Sequence, residues 1–221
     1  MNSLIRVIKG IATQLSKAYE DATAIEEQPS VPSALIRAAM PNIEQHWIEP
    51  IQTVFGRYGI QNLEAALLLA HIGHESNDLR RLSENMNYSA ERLMQVWPSR
   101  FKTIERARQF ERNPEALANE VYGGRMGNNQ PGDGWRFRGR GPIQITGRDN
   151  YTRLQRDTGT PVVQSPDILM TNPIAGIESA CWYWNTFVSL HTIEGSTRQI
   201  NGGLHGLADR TQRFERARGL V

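Results

Sequence analysis

Two carboxylates stand where acid/base chemistry could be done. Glu75 falls near the end of "NLEAALLLAHIGHES", which is apolar nearly all round and so predicts a buried central helix, capped by Asn62. It lies one turn from the row Leu68, Leu69 and Ile72, with Gly73 expected to leave open space beside it. A carboxyl at the mouth of an apolar helix loses hydration when it ionises, so its pKa is expected to rise. A general acid working near neutrality needs that rise. Glu84 follows in "LSENMNYSAERL", an irregular stretch with Asn85, Asn87 and Tyr88, polar groups suited to holding a water and a sugar. Glu91 falls inside the helix expected after Ser89 as N-cap, where plain solvation is its role. Two carboxylates nine residues apart, one closing a rigid helix and one on the next loop, can face each other across a cleft. Hydrolysis of a sugar linkage with inversion needs such a pair about 6.5–9.5 Å apart, with a water between. Metal chemistry is the competitor, since His71, His74 and Glu75 could approach an ion from one face. Their order, H-x-x-H-E, is not the H-E-x-x-H of zinc proteases. No metal site and no cofactor is expected.

A second cluster lies in "GDGWRFRGRGPIQITGRDNY". Its glycines fit neither a dinucleotide fingerprint nor a P-loop. Small residues instead let backbone approach a ligand, while Gln144, Thr146, Asn150 and Tyr151 offer neutral hydrogen-bonding groups. Interleaved with Trp135, Phe137 and Tyr151, these suit a carbohydrate better than a phosphate backbone. Residues 123–156 hold seven Arg against two Asp, a local excess of +5. No nucleic-acid reader motif accompanies that excess, and no nucleic-acid partner is expected. In "RQINGGLHGLADR", Asn201 precedes Gly202 and Gly203 and can present its amide where backbone leaves room, although Asn-Gly-Gly is also a plain turn signal.

These groups need elements to hold them. With 221 residues, 39% hydrophobic and 22% charged, the chain can bury a sizeable core and is not a disordered segment. Its net charge of +2 is too balanced for a protein that coats nucleic acid. Of the 25 basic residues all but Lys9, Lys17 and Lys102 are Arg, a bias that suits bidentate polar contacts or simply follows a GC-rich genome. Cys181 is alone, so intramolecular disulfides are excluded, and its apolar surroundings predict a buried thiol. Residues 1–24 read as an amphipathic helix with Leu4, Ile8, Ile11, Leu15 and Ala18 on one stripe, either packed on the main domain or touching a membrane surface transiently. Glu26 to Ser33 reads as a linker, so the domains are 1–32 and 33–221. Further helices are expected from Ser33 as N-cap to Pro41, up to Gly59, and near 89–96, 103–110, 114–122, 149–157, 173–188 and 207–218. "GWRFRGRGPIQIT" is the one strand signal, read as a small hairpin or short strand. The fold class is mainly α, with long connections around 77–90 and 123–147 of the kind that carry function. No standard signal peptide or membrane span is read, so the chain is expected to be made in the cytoplasm and, as a monomer, released later.

Taken together and in order, these pieces resemble glycoside hydrolase family 19, the plant and bacterial chitinases and the lysozyme-like endolysins of phages and prophages. "LLLAHIGHES" looks like the catalytic-acid helix, "GRGPIQIT..DNY" the central signature, "QINGG" the asparagine segment and "ADR" the C-terminal arginine site. The resemblance covers roughly residues 33–221, and the short "HES…RRLSENMNYSAERL" form looks closer to endolysins than to plant chitinases. It implies a lysozyme-like, two-lobed helical bundle with a substrate cleft. It makes Glu75 the general acid and Glu84 the candidate general base, with Thr146 helping to hold the water. Gln144, Asn150 and Asn201 would bind substrate, joined by Tyr88 and Tyr151 on the residue-type argument above, and Arg210 would support the acid and join the substrate-binding set. The implied substrate is the β-1,4 link between N-acetylmuramic acid and N-acetylglucosamine in peptidoglycan glycan strands, reached in the periplasm after holin-assisted release. Chitin oligomers are the alternative, and a catalytically inactive glycan-binding module the rival from another class. Retention of both carboxylates speaks against that rival. A metallohydrolase would lose activity to a chelator, and a glycosidase would not.

Overall fold

A computed structural model of the chain describes residues 31–221, so the helix expected over 1–24 lies outside the described residues. The described part is helical. Helix α1 (Ser33–Ala39) and a 3-10 turn (Gln45–Trp47) lead to α2 (Ile48–Tyr58) and α3 (Asn62–Ser76). After an irregular stretch come α4 (Ala90–Val96), α5 (Ile104–Arg108) and α6 (Pro114–Tyr122). Then follow α7 (Asp133–Arg136), α8 (Arg148–Thr158), α9 (Ile168–Thr171), α10 (Pro173–Phe187), α11 (Ile193–Asn201) and α12 (Leu207–Arg218).

Local chemistry sets most of these ends. α6 and α10 open with Pro114 and Pro173 in the first turn, behind Asn113 and Asn172. The Asn113 and Asn172 side chains accept from the Ala116 and Ala175 N–H groups at 3.2 and 3.1 Å. Ser89 caps α4 as expected, its hydroxyl accepting from Arg92 N–H at 3.3 Å. Gly59 ends α2 at φ +67, a left-handed conformation that glycine adopts without steric cost. Two expected caps are not caps. Ser33 and Asn62 are the first helical residues of α1 and α3; Pro32 and Gln61 precede them, and no side-chain cap bond forms at either.

Two apolar cores form. The larger gathers Leu35, Ile51, Phe55, Leu68, Ile72, Ile177, Cys181 and Trp184 with many neighbours, and α3 runs through it. The smaller joins Met86, Leu93, Phe101, Leu117 and Val121, with Tyr88, Trp97, Tyr122 and Trp135 packed against it. The loop after α3 passes from one to the other: Leu79 is buried in the larger core and Met86 in the smaller. Val31 is itself buried in the larger core, and its carbonyl accepts from Gln52 Nε2 at 2.8 Å. The segment read as linker up to Ser33 is therefore already core at Val31.

Three helices lay outside the expected set: α7, α9 and α11. For α11, "TIEGSTRQIN" mixes β-branched residues and a glycine, which lowers intrinsic propensity. The Thr192 cap on Gly195 N–H and the burial of Ser196 and Thr197 make it helical all the same. The hairpin expected in "GWRFRGRGPIQIT" is not there; among the described residues Arg140 makes only isolated antiparallel bridges to Ser83 and Ile145. The arginine excess of 123–156 is largely spent on structure. Buried Arg140 pairs with Asp167 at 2.7 Å, Arg148 pairs with buried Asp133, and Arg136 Nη2 donates to the Val163 carbonyl at 2.9 Å.

Candidate active site

Glu75 sits near the C-terminal end of α3, its side chain 22% exposed at the edge of the larger core. Its surroundings are not the purely apolar mouth that the sequence suggests. Arg210 on α12, only 1% exposed, forms an ion pair with Glu75 Oε1 through Nη2. Arg210 Nη1 donates to His71 Nδ1 at 2.8 Å, and His71 Nε2 lies 2.7 Å from Ser196 Oγ. The Ser196 hydroxyl already donates to the Thr192 carbonyl at 2.6 Å, so the imidazole must carry its proton on Nε2 and accept from Arg210 on Nδ1. Burial first, then the Arg210 charge, press the His71 pKa down to about 3 and keep the ring neutral. Tyr183 on α10 completes the surroundings, its phenol pushed up by burial and then by the Glu75 charge.

Gly73 does not open space beside the acid. A Cβ there would meet Arg213 Nη1 at 2.6 Å and Met40 Cγ at 2.8 Å, so the glycine makes way for a buried arginine. Arg213 Nη1 donates to Asp78 and to the Ala39 carbonyl, and its Nε donates to Asp209 Oδ2 at 2.8 Å. The same Asp209 oxygen meets His74 Nδ1 at 2.7 Å. His71 and His74 are thus committed to α11 and α12, each through its own partners.

Glu84 is placed by different elements. Its N–H donates to the Gly139 carbonyl at 3.0 Å, and the Gly139 N–H approaches its Oε2 at 3.4 Å. Tyr122, the last residue of α6, donates its phenol O–H to Glu84 Oε1 at 2.6 Å. Gln144 flanks Gly139 from the other side; a Cβ on that glycine would meet Gln144 Oε1 at 3.0 Å and the Glu84 carboxylate at 3.3 Å. A side chain on this residue would crowd both polar groups. Thr146 Oγ1 donates to the Gln144 carbonyl at 2.9 Å, and Asn150 Nδ2 to the Thr146 carbonyl at 2.8 Å. Gln144 Nε2 donates to the Gly141 carbonyl at 2.9 Å. Tyr88 is half-buried, edge-on to Trp97 at 5.3 Å, and its phenol is raised by burial and then by the Glu84 charge.

Of the residues expected to touch substrate, Tyr88 and Gln144 lie near Glu84, Thr146 and Asn150 follow Gln144 through the bonds above, and all four keep partial exposure. Three others are otherwise engaged. Tyr151 is wholly buried: its ring packs on Phe137 and its O–H donates to the Arg138 carbonyl at 2.9 Å, so it is core rather than cleft. Arg210 is buried too, and its guanidinium meets Glu75 and His71 rather than a glycan. Asn201 folds its own turn, Nδ2 donating to the His205 carbonyl at 2.8 Å and Oδ1 accepting from Gly203 N–H at 3.0 Å. Tyr122, Ser196 and Tyr183 were not singled out from the sequence. Tyr122 bonds Glu84, Tyr183 feels the Glu75 charge and Ser196 reaches His71, each from a distant helix, and nothing in local spacing marks them. His71 was marked only as a metal candidate.

Comparison with known proteins gives the context. A family model for glycosyl hydrolase family 19, described as chitinase class I, matches residues 108–203. A glycosyl hydrolase family 19 domain-containing protein of Haemophilus influenzae is 38% identical over 159 residues, 70% of this chain and 78% of its own length. An endochitinase of Arabidopsis thaliana is 39% identical over a shorter stretch of 77 residues, 34% of this chain but only 27% of that enzyme. Among solved structures, chitinase C from Streptomyces griseus superposes with a TM-score of 0.59 at 18% identity, covering 86% of this chain and 91% of that one. A second bacterial family 19 chitinase gives 0.57 at 18% identity, covering 86% and 94%. At that identity the superpositions carry the fold.

Proposed function

The chain belongs to glycoside hydrolase family 19 and is a chitinase-related glycosidase; from that premise we propose that it cuts peptidoglycan glycan strands. The bond broken is the β-1,4 link between N-acetylmuramic acid and N-acetylglucosamine, by an inverting acid/base mechanism. Glu75 protonates the leaving oxygen as Glu84 draws a proton from a water on the opposite face of the sugar. The observation that carries this reading is the contrast between the two carboxylates. Glu75 is held at a rigid helix end by a buried guanidinium, and Glu84 is held by the Tyr122 hydroxyl and the Gly139 backbone. Arg210 fixes the acid in place rather than binding sugar, and Thr146 and Gln144 offer polar groups near the base. No step calls for a metal or cofactor.

Two features favour peptidoglycan. The stretch between the carboxylates is short, nine residues from Glu75 to Glu84. The bacterial relative also aligns over far more of the chain than the plant endochitinase does. Chitin oligomers are the second reading, favoured by the local identity to that endochitinase. Release to the periplasm and a monomeric state complete the proposal. Digestion of purified peptidoglycan and of chitohexaose, with mass spectrometry of the products, separates the readings. Muropeptides with new reducing ends at N-acetylmuramic acid are expected. Cleavage of chitohexaose with peptidoglycan left intact would overturn the peptidoglycan assignment.

A further inference from the structure

Glu84 presents a mechanical difficulty. It lies on an irregular loop, and a glutamate side chain with three rotatable bonds does not stay aimed at one water unless something holds it. The structure supplies a holder from another element. Tyr122 ends α6, its ring is packed against the smaller core, and its O–H donates to Glu84 Oε1 at 2.6 Å across 38 residues of sequence. Burial first, and then the Glu84 charge, push the phenol far above the usual tyrosine range. The hydroxyl therefore remains a donor throughout the working pH range and cannot become a competing base. The backbone of Gly139 braces the same residue, its carbonyl accepting from Glu84 N–H at 3.0 Å and its N–H approaching Oε2 at 3.4 Å. Tyr88 also lies close, but its ring is turned edge-on to Trp97.

We propose that Tyr122 is a positioning residue for Glu84: its O–H pins Oε1 so that the remaining lone pairs of the carboxylate face the attacking water. Tyr122 need not touch the glycan. This rests on the reading of Glu84 as general base, and the test separates the two ideas.

The test is a double-mutant cycle in the full chain. Tyr122→Phe keeps the ring in the core and removes only the oxygen. Its kcat should fall roughly 10-fold, less than the ~10²-fold expected for loss of the base itself, with KM near the wild-type value. In a Glu84→Gln background, where no base remains to be aimed, Tyr122→Phe should cost nothing further. The residual rates are read by mass-spectrometric counting of new reducing ends after long incubation. Melting temperatures of all four proteins are measured alongside. An unchanged kcat in Tyr122→Phe, with Glu84→Gln crippled, would overturn the positioning role and leave the base standing. Equal losses in both backgrounds, accompanied by a lowered melting temperature, would also overturn it, marking Tyr122 as packing alone. Full activity in Glu84→Gln would remove the base assignment and the proposal with it.

Discussion

Replacing Glu75 by Gln keeps the volume and an oxygen to accept from Arg210, but removes the proton that the leaving group must receive. Glu75→Gln should therefore fold and melt close to the wild type, with turnover on soluble glycan below about a tenth of normal. A higher rate would remove Glu75 from the mechanism. Glu84→Gln should cost roughly 10²-fold or more, the usual scale of a general base. The stereochemistry tests the pair independently of rates. An inverting pair releases the α-anomer first, visible by NMR before mutarotation, whereas an initial β-anomer would require a retaining mechanism and cancel the role of Glu84. The Arg210 guanidinium illustrates how function and structure divide at this scale. Buried and shared between Glu75 and His71, it holds Glu75 in place with its own head enclosed in the protein.

Helix α3 carries Glu75, and its interior is tuned to its neighbours. Gly73 would ordinarily be a weak choice, since Ala is better in a helix by about 1 kcal/mol. Here a Cβ would press on Arg213 Nη1 at 2.6 Å and Met40 Cγ at 2.8 Å. Arg213 cannot step aside cheaply, because Asp78, Asp209 and the Ala39 carbonyl hold its head. Overpacking of that kind costs about 1–3 kcal/mol, so Gly73→Ala should destabilise and lower the melting temperature by a few degrees; a raised one would refute the clash. The long elements were legible because their signals were local. The apolar run of α3, the Asn-Pro openings of α6 and α10 and the Gly59 stop all act within a few residues. What spacing hid depends on packing. α11 is helical because its Ser196 and Thr197 face are buried, and Tyr151 looks like a polar binder until Phe137 is placed against its ring. Spacing alone suggests an apolar mouth around Glu75 for the same reason: Arg210 arrives from α12, 135 residues away, and only the family resemblance places it at Glu75.

Across the whole molecule, the acid site is also a junction on which stability depends. His71 ties α3 to α11 through Ser196 and to α12 through Arg210, and it can do so only while neutral. A proton on Nδ1 would abolish the acceptor and set one cation against another. The fold holds the His71 pKa near 3, whereas an unfolded chain restores the ordinary value of 6.5. Between those values the unfolded state binds the extra proton, so stability is full above pH 6.5 and drains away as the pH falls toward 3. Each unit of pH in that window is worth about 1.4 kcal/mol, so going from 6.5 to 4.5 should cost roughly 2–3 kcal/mol and several degrees of melting temperature. Asp133 and Asp209, both held below the ordinary carboxylate range, add their own losses chiefly as the pH falls through the ordinary Asp value of 3.8 toward their lower folded values. The histidine contribution can therefore be isolated between pH 4.5 and 6.5. His71→Gln keeps a neutral group able to accept from Arg210 and to donate to Ser196, yet it does not titrate. Its melting temperature should be lower than the wild type's at pH 7 and far flatter with pH over that window. Equal slopes for the two proteins would show that the acid sensitivity lies elsewhere in the fold.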